Sequence, residues 1–274
     1  MLGIDLSPYF ISVASYRAIN NKYPILYLHA NAEDVQLKKN RLSILKKNKN
    51  FFFSKIDITN FVKFKNIIKS EKIDNVIFLS AQAGVRYSIK NPKKYYETNL
   101  LGFFNLCEIA RLQNIKNIYF ASSSSVYGNN SKSLKLNESE KTDEPISFYA
   151  ATKKCNEIIA HSYSHLYKMK IIGLRFFTVY GPLGRPDMTP FSFLNKHYQG
   201  KHIDIFNKGN HERDFTYIDD VINFILILFE KNQKKMNSNY EIYNIGKGSP
   251  QKLLKYISQI EKTSKINFNR NYIG

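Results

Sequence analysis

The feature that most constrains this chain is a regular alternation, from about residue 50 onward, of short apolar runs with longer segments of helical periodicity. The runs Asn75–Leu79 and Asn117–Ala121 are apolar without polar alternation, and the helical segment Ser147–Tyr167 follows them. A strand that is apolar on both sides must be covered on both faces, so this rhythm predicts a parallel α/β sheet between helices. Such sheets bind ligands at the carboxyl ends of their strands.

The remaining elements extend this pattern and suggest how the chain is divided. Strands are predicted at Phe51–Ile56 and Lys170–Arg175, and helices at Asn60–Ser70 and Lys94–Gln113. After Thr178 the rhythm breaks at a loop rich in glycine and proline. The later elements, which we assign to a smaller lobe over the sheet edge, are helices at 193–198, 217–229 and 251–261 and strands at 202–206 and 240–245. We therefore predict a Rossmann-type, doubly wound dinucleotide-binding domain over residues 1–178 and a substrate-binding lobe over residues 179–274. That lobe is incomplete and interleaved with the first domain.

Composition limits the class of protein and its partners. The net charge of +19 fits either nucleic-acid binding or a surface of solvated lysines. Because the lysines lie in dispersed pairs without interleaved aromatic residues, the second interpretation is favoured and no nucleic-acid partner is expected. Two cysteines, Cys107 and Cys155, and scattered histidines predict neither a disulfide framework nor a metal site. No apolar run reaches the roughly 20 residues that span a bilayer, and Met1–Tyr16 lacks a signal-peptide pattern. We expect a cytoplasmic protein without a membrane partner.

One constellation of side chains points to chemistry. Tyr149 and Lys153 stand four residues apart in a predicted helix, which places both side chains on one face. Such a pair is by itself compatible with an ordinary helix surface. However, the strand ending at Ala121 continues directly into the hydroxyl-rich segment Ser122–Gly128, and flexible linkers do not continue buried strands. Serine at the end of a parallel strand, with tyrosine and lysine on the next long helix, favours an acid–base site.

Simple acid–base chemistry gives these residues roles. Tyrosine titrates near 10, so a phenol is a poor base at neutral pH. A nearby Lys153 cation, together with a positively charged nicotinamide, favours the phenolate of Tyr149 and lowers its pKa. The phenolate then takes a proton from a sugar hydroxyl that Ser123 or Ser124 holds in line.

Longer strings of sequence, from about residue 33 to 260, resemble the extended short-chain dehydrogenase/reductase family. Within that family, they are most similar to the NAD-dependent epimerase/dehydratase group, and there to the UDP-glucuronate 4-epimerases of the capsular-polysaccharide type. The strings that carry this resemblance are Ser80–Ser88, Ala121–Gly128, Phe148–Lys154, His161–Tyr167, Leu174–Met188 and Arg213–Asp220. The resemblance implies C4 inversion of UDP-glucuronate to UDP-galacturonate through a 4-keto intermediate, NAD as cofactor, and a homodimer. The helices Lys94–Gln113 and Ser147–Tyr167 are the candidates for pairing the two subunits.

The resemblance also implies roles for individual residues. Two alternatives stay open: Asp57 can contact the adenine region or cap the turn before Thr59, and Arg213 can bind the diphosphate or pair with Asp214 or Asp219. Asn99 is expected to organise the backbone rather than to contact a ligand directly. The implied sites are catalytic for Tyr149, Lys153, Ser123 and Ser124; cofactor-binding for Asp57, Ala81, Gln82, Ala83, Asn99, Tyr149 and Lys153; and substrate-binding for Arg86, Ser125, Thr178, Arg185 and Arg213.

The N-terminal segment departs from the family pattern. The three glycines of the phosphate-binding turn would fall at Leu6, Tyr9 and Ser12, and Leu28–Ala30 stands where an acidic residue should contact the adenosine ribose. Weakened NAD binding is therefore expected. The family also continues for some tens of residues beyond Gly274, and the change in composition near residue 35 suggests a reading-frame disruption or a replaced 5′ segment.

These departures keep two alternative functions open. The first is a catalytically impaired remnant or sugar-nucleotide-binding protein of the same fold. The second is another NAD-dependent nucleotide-sugar epimerase or dehydratase. A dehydratase usually carries an acidic pair where this chain has only serines after Ala121, which argues against that activity.

Overall fold

The computed structural model describes residues 2–4, 25–29, 35–71, 73–115, 117–128, 136–232 and 238–274. The strands in these ranges are β1 (Leu2–Ile4), β2 (Ile25–His29), β3 (Phe51–Lys55), β4 (Asn75–Phe78), β5 (Asn117–Ser123), β6 (Lys170–Phe176), β7 (Thr178–Tyr180), β8 (Ile203–Phe206), β9 (Glu212–Arg213), β10 (Phe215–Tyr217), β11 (Tyr240–Ile245), β12 (Gln251–Lys252) and β13 (Arg270–Ile273). The helices are α1 (Val35–Leu45), α2 (Phe61–Ser70), α3 (Val85–Lys90), α4 (Pro92–Tyr95), α5 (Gly102–Leu112), α6 (Phe148–Tyr167), α7 (Thr189–Tyr198), α8 (Ile218–Asn232) and α9 (Leu253–Ser264).

Seven strands form one parallel sheet in the order β11-β6-β5-β4-β1-β2-β3. All of its neighbouring pairs are parallel. The chain builds outward from β1 to β3, crosses back to β4, and then builds outward in the other direction. A crevice for ligands opens where the order reverses, between β1 and β4. The predicted α/β, Rossmann-type doubly wound fold is confirmed.

Helices cover both faces of the sheet, as continuously apolar strands require. On one face, apolar residues of α2, α5 and α6 pack with β4 and β5 around Phe103, Phe120 and Ile171, which are fully buried. On the other face, α1 and α8 pack against the same strands around Tyr119 and Ile222. Burial on both sides accounts for the absence of polar alternation in these strands.

Two elements assigned to the smaller lobe, strand β11 and helix α8, are part of the sheet domain instead. Strand β11 pairs with β6 along Tyr240–Ile245, and α8 packs on one face of the sheet. The sequence could not show this because a strand's partner depends on residues far away in the chain. The lobe proper has its own small core, in which Phe193, Ile203 and Ile257 pack together. The division at residue 178 stays a prediction.

The predicted helix Lys94–Gln113 is present, as an uninterrupted helical segment with one wider turn inside it. Helix α4 leads into a π-helical turn at Tyr96–Leu101, and only then does the regular helix α5 begin. The wider turn contains Asn99, whose side chain is fully buried and faces the loop after β4. Such π turns frequently occur at functional sites. Elsewhere in the fold, none of the described helices is long and apolar enough to cross a membrane.

Candidate active site

The site begins at the carboxyl end of β5, near the middle of the sheet. Every residue of Asn117–Ser123 is buried, and the chain then makes a single 3₁₀ turn at Ser124–Tyr127. The Ser123 hydroxyl lies 3.2 Å from that of Ser125 and accepts a hydrogen bond from the Ser125 amide. The predicted serine cluster is therefore an ordered strand end whose hydroxyls are partly buried.

Helix α6 brings tyrosine and lysine to this strand end. It begins after Ser147, whose side chain accepts a hydrogen bond from the Ala150 amide and so caps the first turn. The hydroxyls of Tyr149 and Ser123 face each other, close enough for Ser123 to lower the pKa of the phenol. One turn further on, the Lys153 ammonium donates to the Ala121 carbonyl at 2.8 Å. Both side chains of the predicted pair therefore contact the last three residues of β5.

The electrostatics of this pair differ from the sequence-based argument. Burial raises the pKa of Tyr149, and the Ser123 hydroxyl and the positive charge of Arg185 only partly oppose it. Burial also lowers the pKa of Lys153 to about 7, because its side chain is only 1% exposed. Lys153 is not among the groups that act on the pKa of Tyr149 in the described chain, and the joint effect of Lys153 and a nicotinamide stays a prediction. The cation that acts on the phenol is Arg185, and Lys153 instead faces a backbone carbonyl.

The loop after β4 forms the second wall of the site. The Asn99 amide group accepts from the Gln82 amide at 2.7 Å and donates to the Gln82 carbonyl at 3.0 Å. Its nitrogen also donates to the Thr152 hydroxyl on α6 at 3.0 Å. Asn99 thus joins this loop to the helix of Tyr149, as expected of a residue that organises the backbone.

Tyr95 holds the same loop from the other side. Its hydroxyl donates to the carbonyls of Ala83 and Gly84, at 2.9 and 2.6 Å, and its ring meets that of Tyr149 edge-on at 6.1 Å. Gly84 has a φ of 107°, a conformation that side-chain-bearing residues rarely adopt. The residues Ala81–Gly84 are therefore fixed beside Tyr149. No motif in the sequence singles out Tyr95.

A cleft opens between this strand end and the smaller lobe. Its walls include Ala83, Tyr149, Phe177 and Arg185, with glycine and proline from the loop after β7. The Arg185 guanidinium forms a bidentate ion pair with Asp187, donating from Nε at 3.0 Å and from Nη2. The turn that carries both residues is closed by a hydrogen bond from the Met188 amide to the Arg185 carbonyl. Arg185 is thus placed in the cleft, as predicted, with a partner that the sequence analysis did not anticipate.

Other predicted ligand residues have different local roles. The Asp57 carboxylate accepts from the amide and hydroxyl of Thr59 at 2.9 and 2.8 Å, which fits the capping alternative. Arg86 stacks on Phe206 of the smaller lobe, with its guanidinium carbon 3.8 Å from the ring centroid. The structure thus places the Arg86 guanidinium against an aromatic ring of the lobe.

Arg213 and Thr178 lie where the lobe meets the sheet. The Arg213 side chain is exposed and donates to the Glu212 carbonyl at 2.9 Å, and burial of part of it lowers its pKa. The carboxylate of Asp214 is turned away from it and accepts from Thr216 and from the amides of Lys247, Gly248 and Ser249. The ion-pair alternative with Asp214 is therefore wrong. The amide of the half-buried Thr178 donates to the Asp214 carbonyl at 3.0 Å.

The predicted departures near the N-terminus lie outside the described residues. This applies to the positions Leu6, Tyr9 and Ser12 of the missing glycine turn and to Ala30 after β2. In the described ranges, no cluster of three or more metal-ligating side chains is found. The ligand roles assigned to individual residues stay predictions.

Taken together, a doubly wound sheet and a serine–tyrosine–lysine set at its carboxyl edge define a dinucleotide-dependent enzyme of Rossmann type. Residues 15–246 match the model of the NAD dependent epimerase/dehydratase family, and the chain belongs to that family.

Individual proteins extend this similarity. The chain is 47% identical over 268 residues to an uncharacterised protein of Methanocaldococcus jannaschii, covering 95% of this chain and 77% of that protein. It is 43% identical over 252 residues to protein CapI of Staphylococcus aureus, covering 87% and 75%. Among solved structures, the UDP-glucuronic acid 4-epimerase of Bacillus cereus, in complex with UDP-glucuronic acid and NAD, superimposes with a TM-score of 0.88. That match has 30% identity and covers 99% of this chain and 85% of the other.

Proposed function

We propose that this chain catalyses the NAD-dependent C4 epimerisation of a UDP-uronic acid, interconverting UDP-glucuronate and UDP-galacturonate through a 4-keto intermediate. The observation that carries the proposal is the meeting of Tyr149 and Lys153 with the serine-containing carboxyl end of β5, in a cleft that also contains Arg185. A base, a hydroxyl anchor and a guanidinium are the groups that oxidation at a hydroxyl-bearing carbon of a carboxylated sugar requires.

The described residues fit a dinucleotide. The Ser80 hydroxyl lies at the carboxyl end of β4, is only 1% exposed, and has no hydrogen-bond partner within the described chain. A buried hydroxyl without a partner is costly unless a ligand or water completes it. We infer that Ala81, Gln82 and Ala83 line the cofactor, that Lys153 and Tyr149 contact its ribose, and that Asn99 fixes the loop. The carboxylate of Asp57, which is held by Thr59, is the candidate for the adenine end.

The chain's own part in the reaction is proton transfer and orientation. NAD held by these residues would supply a reversible hydride acceptor for C4, and the hydride could return to the opposite face of the ring. Tyr149 takes the proton of the C4 hydroxyl during oxidation and gives it back during reduction. Ser123 and Ser124 hold the hydroxyl oxygen in line.

The carboxylate and diphosphate of the substrate need separate partners. Arg185, Ser125 and Thr178 surround the carboxylate in this proposal, since charge-assisted hydrogen bonds are the strong ones. Arg213 is exposed on the lobe side and binds the diphosphate. Arg86 was expected to bind substrate, but its stacking on Phe206 supports a role in joining the lobe to the sheet domain.

We also propose that the protein is a cytoplasmic homodimer that binds no nucleic acid. Exposed apolar residues cluster on the two helices predicted to pair, with Phe104 and Leu112 on α5 and Ile158 and Leu166 on α6. Both cysteines are free, which fits a reducing compartment. Light scattering of the purified protein measures the mass. Tight retention on heparin that is lost as salt increases would contradict the absence of nucleic-acid binding, whereas salt-insensitive elution supports it.

The decisive experiment measures cofactor content and turnover together. The protein is purified and denatured, the released NAD is quantified by absorbance, and UDP-glucuronate is incubated with the intact protein. Near-stoichiometric NAD with formation of UDP-galacturonate is the expected result. Absence of NAD, with no turnover after millimolar NAD is added, would refute the proposal.

A second candidate is a sugar-nucleotide-binding protein of the same fold that does not turn substrate over. It is favoured by Leu6, Tyr9 and Ser12, each of which carries a Cβ where the family pattern has glycine. Each lost charge-assisted hydrogen bond to the pyrophosphate costs about 1.5–3 kcal/mol. Calorimetry separates the two candidates, because a sugar-nucleotide-binding protein binds UDP-glucuronate although it contains no NAD and forms no product.

A further inference from the structure

A buried ionic cluster lies directly behind the Tyr149–Lys153 pair. Arg175 on β6 donates to both oxygens of Glu157 on α6 at 2.9 Å, and each of the two side chains is 3% exposed. Burial alone would lower the pKa of Arg175, but the hydrogen bonds and charge of Glu157 outweigh it and raise that pKa. The pair is therefore a fully ionised, bidentate salt bridge inside the sheet–helix interface.

This cluster is bonded to the strand that carries the catalytic serine. The Ser122 hydroxyl donates to Glu157 Oε1 at 2.5 Å. Glu157 follows Lys153 by one helical turn and Tyr149 by two, so the three side chains share a face of α6. Their partners on β5 are consecutive: Ala121 for Lys153, Ser122 for Glu157 and Ser123 for Tyr149.

The other side of the cluster is also fixed. Arg175 Nη1 donates to the Tyr127 hydroxyl at 2.9 Å, and Tyr127 in turn donates to Asn244 on β11 at 2.7 Å. The Glu157 carbonyl accepts from the Tyr240 hydroxyl at 3.0 Å. Strands β5 and β6 are thus bonded directly to one carboxylate on α6, and β11 is linked to the backbone of the same residue and, through Tyr127, to Arg175.

We propose that Glu157 is a positioning residue for the epimerisation: by bonding Ser122 and Arg175, it sets the position of α6 along β5 so that the Tyr149 hydroxyl meets Ser123. The inference rests on the proposed function, since it assigns a role in that reaction. The argument is geometric. A shift of α6 along its axis changes all three contacts to β5 at once, and only the Glu157 contact involves a bidentate ionic partner.

Stability alone does not explain such a cluster. A buried ion pair can often be replaced by apolar side chains of similar volume without loss of stability. What an apolar pair cannot do is direct the helix to one position, because apolar contacts tolerate small sliding and bidentate hydrogen bonds do not.

The test compares a paired replacement with a milder one. In Glu157→Met/Arg175→Met both charges are removed together, so no unpaired buried charge remains, and Ser122→Ala removes only the bond to the strand. We expect the paired variant to keep a melting temperature near that of the wild type. Its kcat should fall about a hundredfold, with KM changed by less than about threefold, because a misplacement of about 1 Å costs that much in rate. Ser122→Ala should lower kcat by about fivefold to tenfold in the same direction.

The matched control lies on the same helix, away from the serine turn. Tyr163→Phe removes the hydrogen bond from the Tyr163 hydroxyl to Glu108 at 2.6 Å. This variant should leave kcat and KM unchanged, whatever it does to the melting temperature. If the paired variant keeps the wild-type kcat, or if Tyr163→Phe lowers kcat as much as Ser122→Ala, Glu157 has only a structural role and the inference is wrong.

A second readout does not depend on turnover. Crystal structures of the wild type and of Ser122→Ala give the separation of the Tyr149 and Ser123 hydroxyls directly. We expect the two hydroxyls to lie farther apart in Ser122→Ala than in the wild type. If the wild type has no epimerase activity, the proposed function fails, but this separation still decides the positioning role. An unchanged separation in Ser122→Ala overturns that role.

Discussion

Replacing Lys153 by methionine should make the protein more stable at neutral pH while abolishing its activity. The Lys153 side chain is almost completely buried, and its ammonium donates to the Ala121 carbonyl. Burial lowers its pKa from 10.5 to about 7. At about 1.4 kcal/mol per pKa unit, folding therefore disfavours the charged form by about 5 kcal/mol.

The sign of the pH dependence follows from proton counting. Between pH 7 and 10.5 the unfolded chain keeps the proton on Lys153 while the folded chain has lost it, so stability rises with pH over that range. Below pH 7 both states are protonated and the full penalty is present. At pH 7 the penalty is about 4 kcal/mol, and it approaches zero near pH 10.

Methionine removes the penalty but leaves the Ala121 carbonyl without its donor, at a cost of about 1–3 kcal/mol. Lys153→Met should therefore be about 1–3 kcal/mol more stable than the wild type at pH 7, and less stable by about the same amount near pH 10. The assay is urea denaturation of nucleotide-free protein at several pH values from 7 to 10. Lys154→Met, at the neighbouring half-buried position, is the control, and its free energy of unfolding should change with pH as that of the wild type does. If the free energy of unfolding changes with pH in the same way for the wild type and for Lys153→Met, burial does not lower the pKa of Lys153.

Three further predictions concern the base, the carboxylate site and the lobe. Tyr149→Phe removes the proposed base and should lower kcat by about a thousandfold, while calorimetry shows unchanged UDP binding; turnover near the wild-type rate would exclude Tyr149 as the base. Arg185→Met should raise KM for UDP-glucuronate by about tenfold or more through loss of a charge-assisted contact, with little effect on the affinity for UDP. An equal loss of affinity for both ligands would place Arg185 away from the sugar. Asp214→Ala leaves the amides of Lys247 and Gly248 without an acceptor and should lower the free energy of unfolding by about 2–4 kcal/mol. Urea denaturation measures this change, and a loss below about 0.5 kcal/mol would mean that water replaces the carboxylate.

Much of the site could be predicted because its geometry is local. The four-residue spacing of Tyr149 and Lys153 puts both on one helical face whatever the helix packs against. The run of serines after a buried strand places hydroxyls at the sheet's carboxyl edge once the strand is known to be parallel. The alternation of apolar runs and helices likewise determined the α/β class, since each element must bury its own apolar face.

The contacts that tune this site could not be predicted, because they join residues far apart in sequence. Glu157 and Arg175 are unremarkable charged residues in the sequence, and only the packing of α6 on β5 and β6 makes them a buried pair. The stacking of Arg86 on Phe206 of the lobe likewise has no local sequence signal. The position of β11 in the sequence suggests the lobe, because no local feature shows that its partner is the distant strand β6.

The sequence by itself therefore determined which chemical groups this protein has, their order along the chain and the class of sheet that carries them. The tertiary structure decided the charge states and partners of those groups. It buries Lys153 enough to bring its pKa close to neutrality and makes Arg185, rather than Lys153, the cation that acts on Tyr149. The physical reason is that helical spacing depends on neighbouring residues, whereas desolvation and long-range charge depend on everything that packs around a group.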